Sequence, residues 1–280
     1  MLIYSIVIHT IMDFLLQSNS MVKRKKTKNN TREQIIGCLE HSGTIFLGMI
    51  FGIVFIKQYY IYAFYCFLIT LFHFICDFTK VRVDNRWTSF KPIYFVIDQL
   101  IHIIIIIVLS SIFNFEYNNW YFILKEIIGN NNLTTNFITN GDIYIFIKNS
   151  ITLFIIGIYV CKAGEYFIRE VLEFIENVDG NNQKKDLFDE ETIIKLKNTQ
   201  KENKKYGKYI GILERLIIYI LTIYGQFTSI AFVITAKSIT RSTKIEKEPQ
   251  FGERYLVGTL LSVVIAIMGG CLFNIIKITK

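Results

Sequence analysis

Seven mostly apolar stretches divide this chain of 280 residues, at roughly 2–19, 35–56, 59–80, 92–113, 143–175, 210–240 and 254–278. A membrane-crossing helix needs about 20 such residues. In hydrocarbon the backbone must satisfy its own hydrogen bonds, which leaves a helix as the local solution. The pattern predicts an all-α, polytopic membrane helix bundle with about 6–8 membrane-embedded helices. Composition agrees: 52% of residues are hydrophobic and 15% aromatic, which excludes an ordinary soluble enzyme. The net charge of +8 does not point to nucleic acid. Lysine and arginine cluster between the apolar stretches, where they set orientation in a membrane.

The distribution of basic residues predicts which loops share a side. Lys23, Arg24, Lys25, Lys26 and Lys28 follow the first stretch, and no basic residue precedes it. With no small-residue cleavage site after it, this stretch reads as a retained helix, not a signal peptide. Loops 20–34 and 80–91, the latter with Lys80, Arg82, Arg86 and Lys91, are expected in the cytoplasm. The N-terminus is then outside, in a multi-pass protein of the inner (plasma) membrane. The expected organisation is a four-helix membrane domain over 1–113, an external or interfacial loop over 114–142 and a fifth helix over 143–176. A charged cytoplasmic linker over 177–209 and C-terminal membrane helices over 210–280 complete it. The end of the chain conflicts with a simple alternation. Lys237, Arg241, Lys244 and Lys247 belong inside, yet a single span over 210–240 puts them outside. Two resolutions stay open: a re-entrant hairpin broken near Gly225 and Gln226, or a local failure of the rule where Glu246, Glu248 and Glu253 accompany the lysines.

Polar residues inside the apolar stretches locate the chemistry. All four histidines fall before residue 103, and three have a carboxylate one helical turn away: His9 with Asp13, His73 with Asp77, and His102 with Asp98. His41 follows Glu40. Residues four apart share a helix face. Ionisable groups are costly in hydrocarbon, so each is a candidate functional group. The order reverses on the fourth stretch, where Asp precedes His. In antiparallel neighbours that reversal brings like residues to like depth, with carboxylates nearer the cytoplasm and imidazoles one turn deeper. A mixed cluster of His9, Asp13, His41, His73, Asp77, Asp98 and His102 suits a divalent metal, with zinc or manganese first. Thr10, Gln17, Ser42 and Gln99 are expected to support it. Asp77 and Asp98 flank the basic loop and are the candidate catalytic carboxylates. The plainer alternative is a set of His–Asp hydrogen bonds that fix helix register.

The five cysteines form no C-x-x-C pair, which excludes a disulfide framework and a zinc knuckle. Phosphate-loop, dinucleotide, G-x-S-x-G and H-E-x-x-H motifs are missing from the sequence. The sequon at Asn132-Leu133-Thr134 carries no weight, and 184–208 reads as a solvated charged helix.

The motifs His9-x3-Asp13-x3-Gln17, the lysine-rich loop, His41, His73-x3-Asp77-x2-Lys80 and Asp98-Gln99-x2-His102 cover about residues 1–113. Here the chain resembles a bacterial membrane family known as domain of unknown function 3307. That resemblance implies a grouping of residues and no reaction. A more distant likeness, to inner-membrane metal-dependent hydrolases, implies hydrolysis by analogy. The C-terminal part resembles an extension found in a subset of the first family. It is carried by Leu213-Glu214-Arg215, Gly225-Gln226, Ala236-Lys237-Ser238 and the run from Tyr255 to Ser262.

In that C-terminal part Gly258, Thr259 and Ser262 give a small-residue face for close helix packing. Glu214, Arg215, Gln226 and Lys237 form either an internal ion pair with a snorkelling lysine or a second polar pocket for an anion or head group. Three functions compete. One is a metal-dependent hydrolase acting on a lipid-linked or phosphate-bearing substrate. Another is a proton or divalent-cation transporter, disfavoured by the apolar run Ile103 to Leu109. The third is a non-catalytic sensor or assembly subunit with a structural metal. Expected partners are membrane lipids and an anionic or lipid-linked substrate, not nucleic acid. A homo-oligomer is compatible with all three.

Overall fold

A computed structural model of the chain describes residues 1–27, 30–86, 91–118, 140–178 and 190–278. Lys28, residues 87–90, the expected external loop over 119–139 with its sequon, and residues 179–189 of the charged linker lie outside the described residues. The described chain is helical, with no strand and one isolated bridge between Ile56 and Tyr117. Five helical stretches are long and apolar enough to cross a membrane: Thr31–Phe55, Tyr59–Asp84, Lys91–Ile112, Ile145–Glu176 and Gln250–Lys277. The chain divides into two compact units, Met1–Ile155 and Ile156–Lys280.

The first unit begins with α1, Leu2–Phe14. The expected single helix over 2–19 is not what forms. The chain leaves α1 after 13 residues, and Ser18 caps a separate short helix α2, Asn19–Lys25, accepting from the Met21 amide at 3.3 Å. A serine at this position satisfies an orphan donor that a continued helix would not have offered. Asn30 caps α3, Thr31–Ile50, in the same way, at 3.2 Å from the Glu33 amide. A 3-10 turn over Phe51–Phe55 leads to α4, Tyr59–Arg86, and then α5, Lys91–Ile112, follows.

Burial in this unit is the inverse of a soluble protein's. On α5 the buried positions are Pro92, Phe95, Asp98, His102, Ile106 and Leu109, spaced three and four apart. Its exposed positions from Ile93 to Val108 are all apolar. A helix that turns its charged stripe inward and its isoleucines outward is suited to an apolar surrounding.

The second unit takes up the end of α6, Asn140–Ile158, which passes through a π turn at Tyr159–Ala163 into α7, Gly164–Val178. Next come α8, Glu190–Ile223, α9, Phe227–Lys247, and α10, Pro249–Ile278. The 210–240 stretch is therefore broken near Gly225 and Gln226. Gly225 adopts φ +68°, which favours glycine, and the Gln226 amide reaches back to Leu221 O at 2.8 Å. With the Gly225 amide on Thr222 O at 3.0 Å, this is a Schellman closure. The chain then reverses, and α8 and α9 pack against each other. Ile156, Val160, Ile218, Tyr219, Ile230, Ala266 and Phe273 form the core. Close packing on α10 falls at Gly270, where a Cβ would lie 2.6 Å from the Thr222 Cβ, and not at Gly258, which meets Leu172 at ordinary distance.

Candidate metal centre

Helical spacing stacks the first unit's polar residues in three layers. The middle layer is imidazole. His73 lies 4.2 Å from His102, 5.0 Å from His41 and 5.4 Å from His9, ring centre to ring centre, and His9 stacks on His102 at 5.2 Å. One turn to one side lie Asp13, Asp77 and Asp98, with Gly37 four residues before His41. One turn to the other side lie Ser5, Ile45, Ile69 and Ile106, all buried. All four histidines are at most 3% exposed.

The contacts cross between helices more than they follow them. Asp13 Oδ1 lies 3.0 Å from His41 Nε2 and 3.7 Å from His73 Nε2. Its own-helix partner His9 is at 3.7 Å from the other oxygen. Asp77 Oδ2 is 3.6 Å from His73 Nε2 and 3.9 Å from His41 Nε2. His102 turns Nδ1 to the Asp98 carbonyl at 2.7 Å, which orients its ring and leaves Nε2 facing inward. The Nε2 atoms of His9, His73 and His102 are buried and make no hydrogen bond. Three overlapping groups, His9–Asp13–His73, His41–His73–Asp77 and Asp77–Asp98–His102, each have ligand atoms within 4.8 Å of one another, so each could hold a metal ion. Buried imidazole nitrogens without a partner, beside carboxylates, fit such an ion in donor chemistry.

Of the four expected supporting groups, Gln99 is in place. Its amide reaches Asp98 at 3.3 Å and Asp13 at 3.5 Å. Ser42 is buried there with its hydroxyl unpaired. Thr10 bonds its own helix at Ile6 O, 2.7 Å, and Gln17 lies beyond the end of α1.

Two lysines enter that sequence reasoning left out of the candidate site residues. Lys25 of α2 is 9% exposed and its ammonium is bonded to Asp77 Oδ2. Lys80 reaches Asp98 Oδ2 at 2.8 Å. The adjacent Arg24 pairs with Glu40 instead, at the surface. Gly37 is the signal that could have found Lys25. A Cβ there would sit 2.8 Å from the Lys25 backbone nitrogen, so only glycine lets α2 approach α3 this closely. Counting imidazoles as uncharged, three carboxylates face two ammonium groups, and Asp13 is the carboxylate without one among the described residues.

Beyond the isoleucine layer lies a hydroxyl group that sequence reading missed. Tyr65 OH bonds Ser5 and Ser110, each at 2.8 Å. The apolar run Ile103 to Leu109 hid it, because Ser5 and Tyr65 arrive from other helices.

In the second unit, the expected set of Glu214, Arg215, Gln226 and Lys237 separates. Lys237 Nζ meets Glu214 Oε2 at 2.5 Å. Arg215 is 4% exposed and donates to Cys161 O at 3.0 Å, in the π turn. A π turn disturbs the helical ladder and leaves such a carbonyl available. Gln226 is exposed at the hairpin turn, outside the crevice that Glu214 and Lys237 line.

The fold and site thus define a class: an all-α bundle with membrane-length apolar helices around a buried histidine–aspartate cluster. Residues 1–129 match the family described as Protein of unknown function (DUF3307), over the part of the chain that carries the histidine–aspartate cluster. No curated protein and no solved structure matches the chain.

Proposed function

We propose that the first unit binds a divalent metal, zinc or manganese, and acts as a membrane-embedded metal-dependent hydrolase on a lipid-linked or phosphate-bearing substrate. The observation that carries the metal reading is the set of three overlapping groups sharing His73 and Asp77, with three imidazole Nε2 atoms unpaired. His9, His41, His73 and His102 with Asp13, Asp77 and Asp98 would hold the ion or ions. When bound, the metal supplies Lewis acidity to an ester or phosphoryl oxygen. The protein's own groups do the rest. Asp13, which lies 3.0 Å from His41 Nε2 and has no ammonium on it among the described residues, is assigned the proton when the ion rests on the groups that do not include it. Asp77 and Asp98 hold Lys25 and Lys80 at the rim, where two ammonium groups attract an anionic head group. The isoleucine layer of Ile45, Ile69 and Ile106 closes the far side, which supports a dead-ended site over a conduction path. The basic residues of α2 and the start of α3 support an open side that faces the cytoplasm, in a plasma-membrane protein with its N-terminus outside.

One observation favours a second reading. The Lys25–Asp77 and Lys80–Asp98 pairs neutralise two of the three carboxylates without any ion. On that reading the cluster, with or without a structural metal, holds the bundle together in a sensor or assembly subunit. Elemental analysis of protein purified without chelator decides on the metal, with wild type expected to carry a stoichiometric ion and His73→Ala to lose it. Asp13→Asn then separates the roles. A hydrolase loses turnover of a phosphoester or lipid-linked ester while keeping an ion in the two groups that lack Asp13, whereas a structural centre shows no turnover in wild type either.

A further inference from the structure

Most helical hydroxyls among the described residues bond back to their own helix. Thr70 reaches Cys66 O at 2.8 Å, Thr222 reaches Ile218 O at 2.8 Å, Thr235 reaches Ala231 O at 2.9 Å and Ser238 reaches Ile234 O at 2.9 Å. Thr259 and Ser262 of α10 depart from that habit. They are 6% and 5% exposed, and neither oxygen has a hydrogen-bond partner. Burial of an unpaired hydroxyl is costly. Three residues apart, the two share one face of α10. That face lines a crevice with Glu214 and Ile218 of α8 and Val233, Ile234 and Lys237 of α9. The Lys237 ammonium rests on Glu214 and lies over the Tyr255 ring, 5.4 Å from its centre.

We propose that this crevice binds a small monovalent cation, sodium by size, through the Glu214 carboxylate and the Thr259 and Ser262 hydroxyls, and that Lys237 is the internal cation it displaces. Charge decides the valence. One carboxylate lines the crevice, so exchanging one ammonium for one monovalent ion leaves the local charge unchanged, while a divalent ion adds an unmatched positive charge. Charge also decides against an anion, which would have to settle beside Glu214 and break its pairing. Size excludes an amino acid or a lipid head group, because the crevice has room for about one water-sized particle. The donors are hard oxygens, which suit an alkali cation and not a soft one. The long flexible lysine stem lets the ammonium withdraw, with the Tyr255 ring as its resting place. None of this draws on the metal centre of the first unit.

The test is thermal unfolding of the full purified chain in detergent, titrated with sodium, potassium or choline chloride at matched ionic strength. The midpoint is expected to rise saturably with sodium and not with choline. Lys237→Met removes the competing cation and is expected to reach the same rise at severalfold lower sodium. Glu214→Gln, and the pair Thr259→Val with Ser262→Ala, should keep their helix content and lose the sodium-specific rise. Equal responses to sodium and choline in both wild type and Lys237→Met overturn the proposal. So does a rise that follows the anion when chloride is exchanged for phosphate, and an equal response to potassium overturns the assignment to sodium.

Discussion

The two units bury the same charged motif, a lysine on a carboxylate, and surround it with different donors. In the first, Lys25–Asp77 and Lys80–Asp98 stand beside four imidazoles. In the second, Lys237–Glu214 stands beside two hydroxyls. Imidazole with carboxylate selects borderline divalent metals, whereas hydroxyl with carboxylate selects hard ions. The charge counts differ in the same sense. The first cluster has one carboxylate more than it has ammonium groups, and the second is balanced. Burial differs too: the Lys25 side chain is 11% exposed and that of Lys237 is 23% exposed. The same pair of residue types is thus a wall of a crowded cluster in one unit and an exchangeable plug in the other.

The sharpest way to break this comparison is at His73, which belongs to two of the three ligand groups. His73→Ala is expected to weaken zinc or manganese binding by at least about 100-fold, above the range found for outer partners of metal ligands. Isothermal titration or metal-dependent unfolding reads the change. Unaltered affinity would remove the divalent half of the contrast. The sodium response of the second unit should be untouched by this variant.

Lys25→Met comes next. Removing one partner of a buried pair strands Asp77, and about 3–5 kcal/mol of stability should be lost in chelator. Added zinc or manganese is expected to return part of it by taking the vacated carboxylate, which chemical unfolding with and without metal will measure. A loss that metal does not reduce would show Lys25 to be purely structural.

Gly37→Ala tests the same lysine without touching a charge. The added methyl meets the Lys25 backbone, and forced repacking of this kind costs about 1–3 kcal/mol. If the variant is as stable as wild type, α2 does not need its close approach to α3.

Arg24→Gln sets the scale at the low end. Arg24 and Glu40 are 44% and 36% exposed, so their pair is worth about 0–1 kcal/mol and should weaken further in salt. An effect as large as that of Lys25→Met would mean that α2 is held by its surface charges and not by its buried lysine.

Much of the fold was legible from spacing alone. Apolar length predicted the helical class, and the i, i+4 registry of His9–Asp13, His73–Asp77 and Asp98–His102 predicted one polar face on each of three helices. The broken 210–240 stretch was legible as an alternative because Gly225 can take a positive φ and a charge conflict pointed to it. Less legible was the end of α1, where Ser18 outcompetes continuation of an apolar stretch by capping a new helix.

Tertiary structure alone decided the partners. Lys25 meets Asp77 across 52 residues and Lys237 meets Glu214 across 23, and periodicity carries no record of such pairs. It records which residues share a face, because that follows from the geometry of one helix. Which face meets which depends on caps, turns and the close approaches that Gly37 and Gly270 permit. For the same reason the sequence placed Arg215 and Gln226 with Glu214 and Lys237, while packing sent Arg215 to a π-turn carbonyl and left Gln226 exposed at the hairpin turn. Thr259 and Ser262 read as packing residues in the sequence, and only the burial of their unpaired oxygens turned them into candidate ligands.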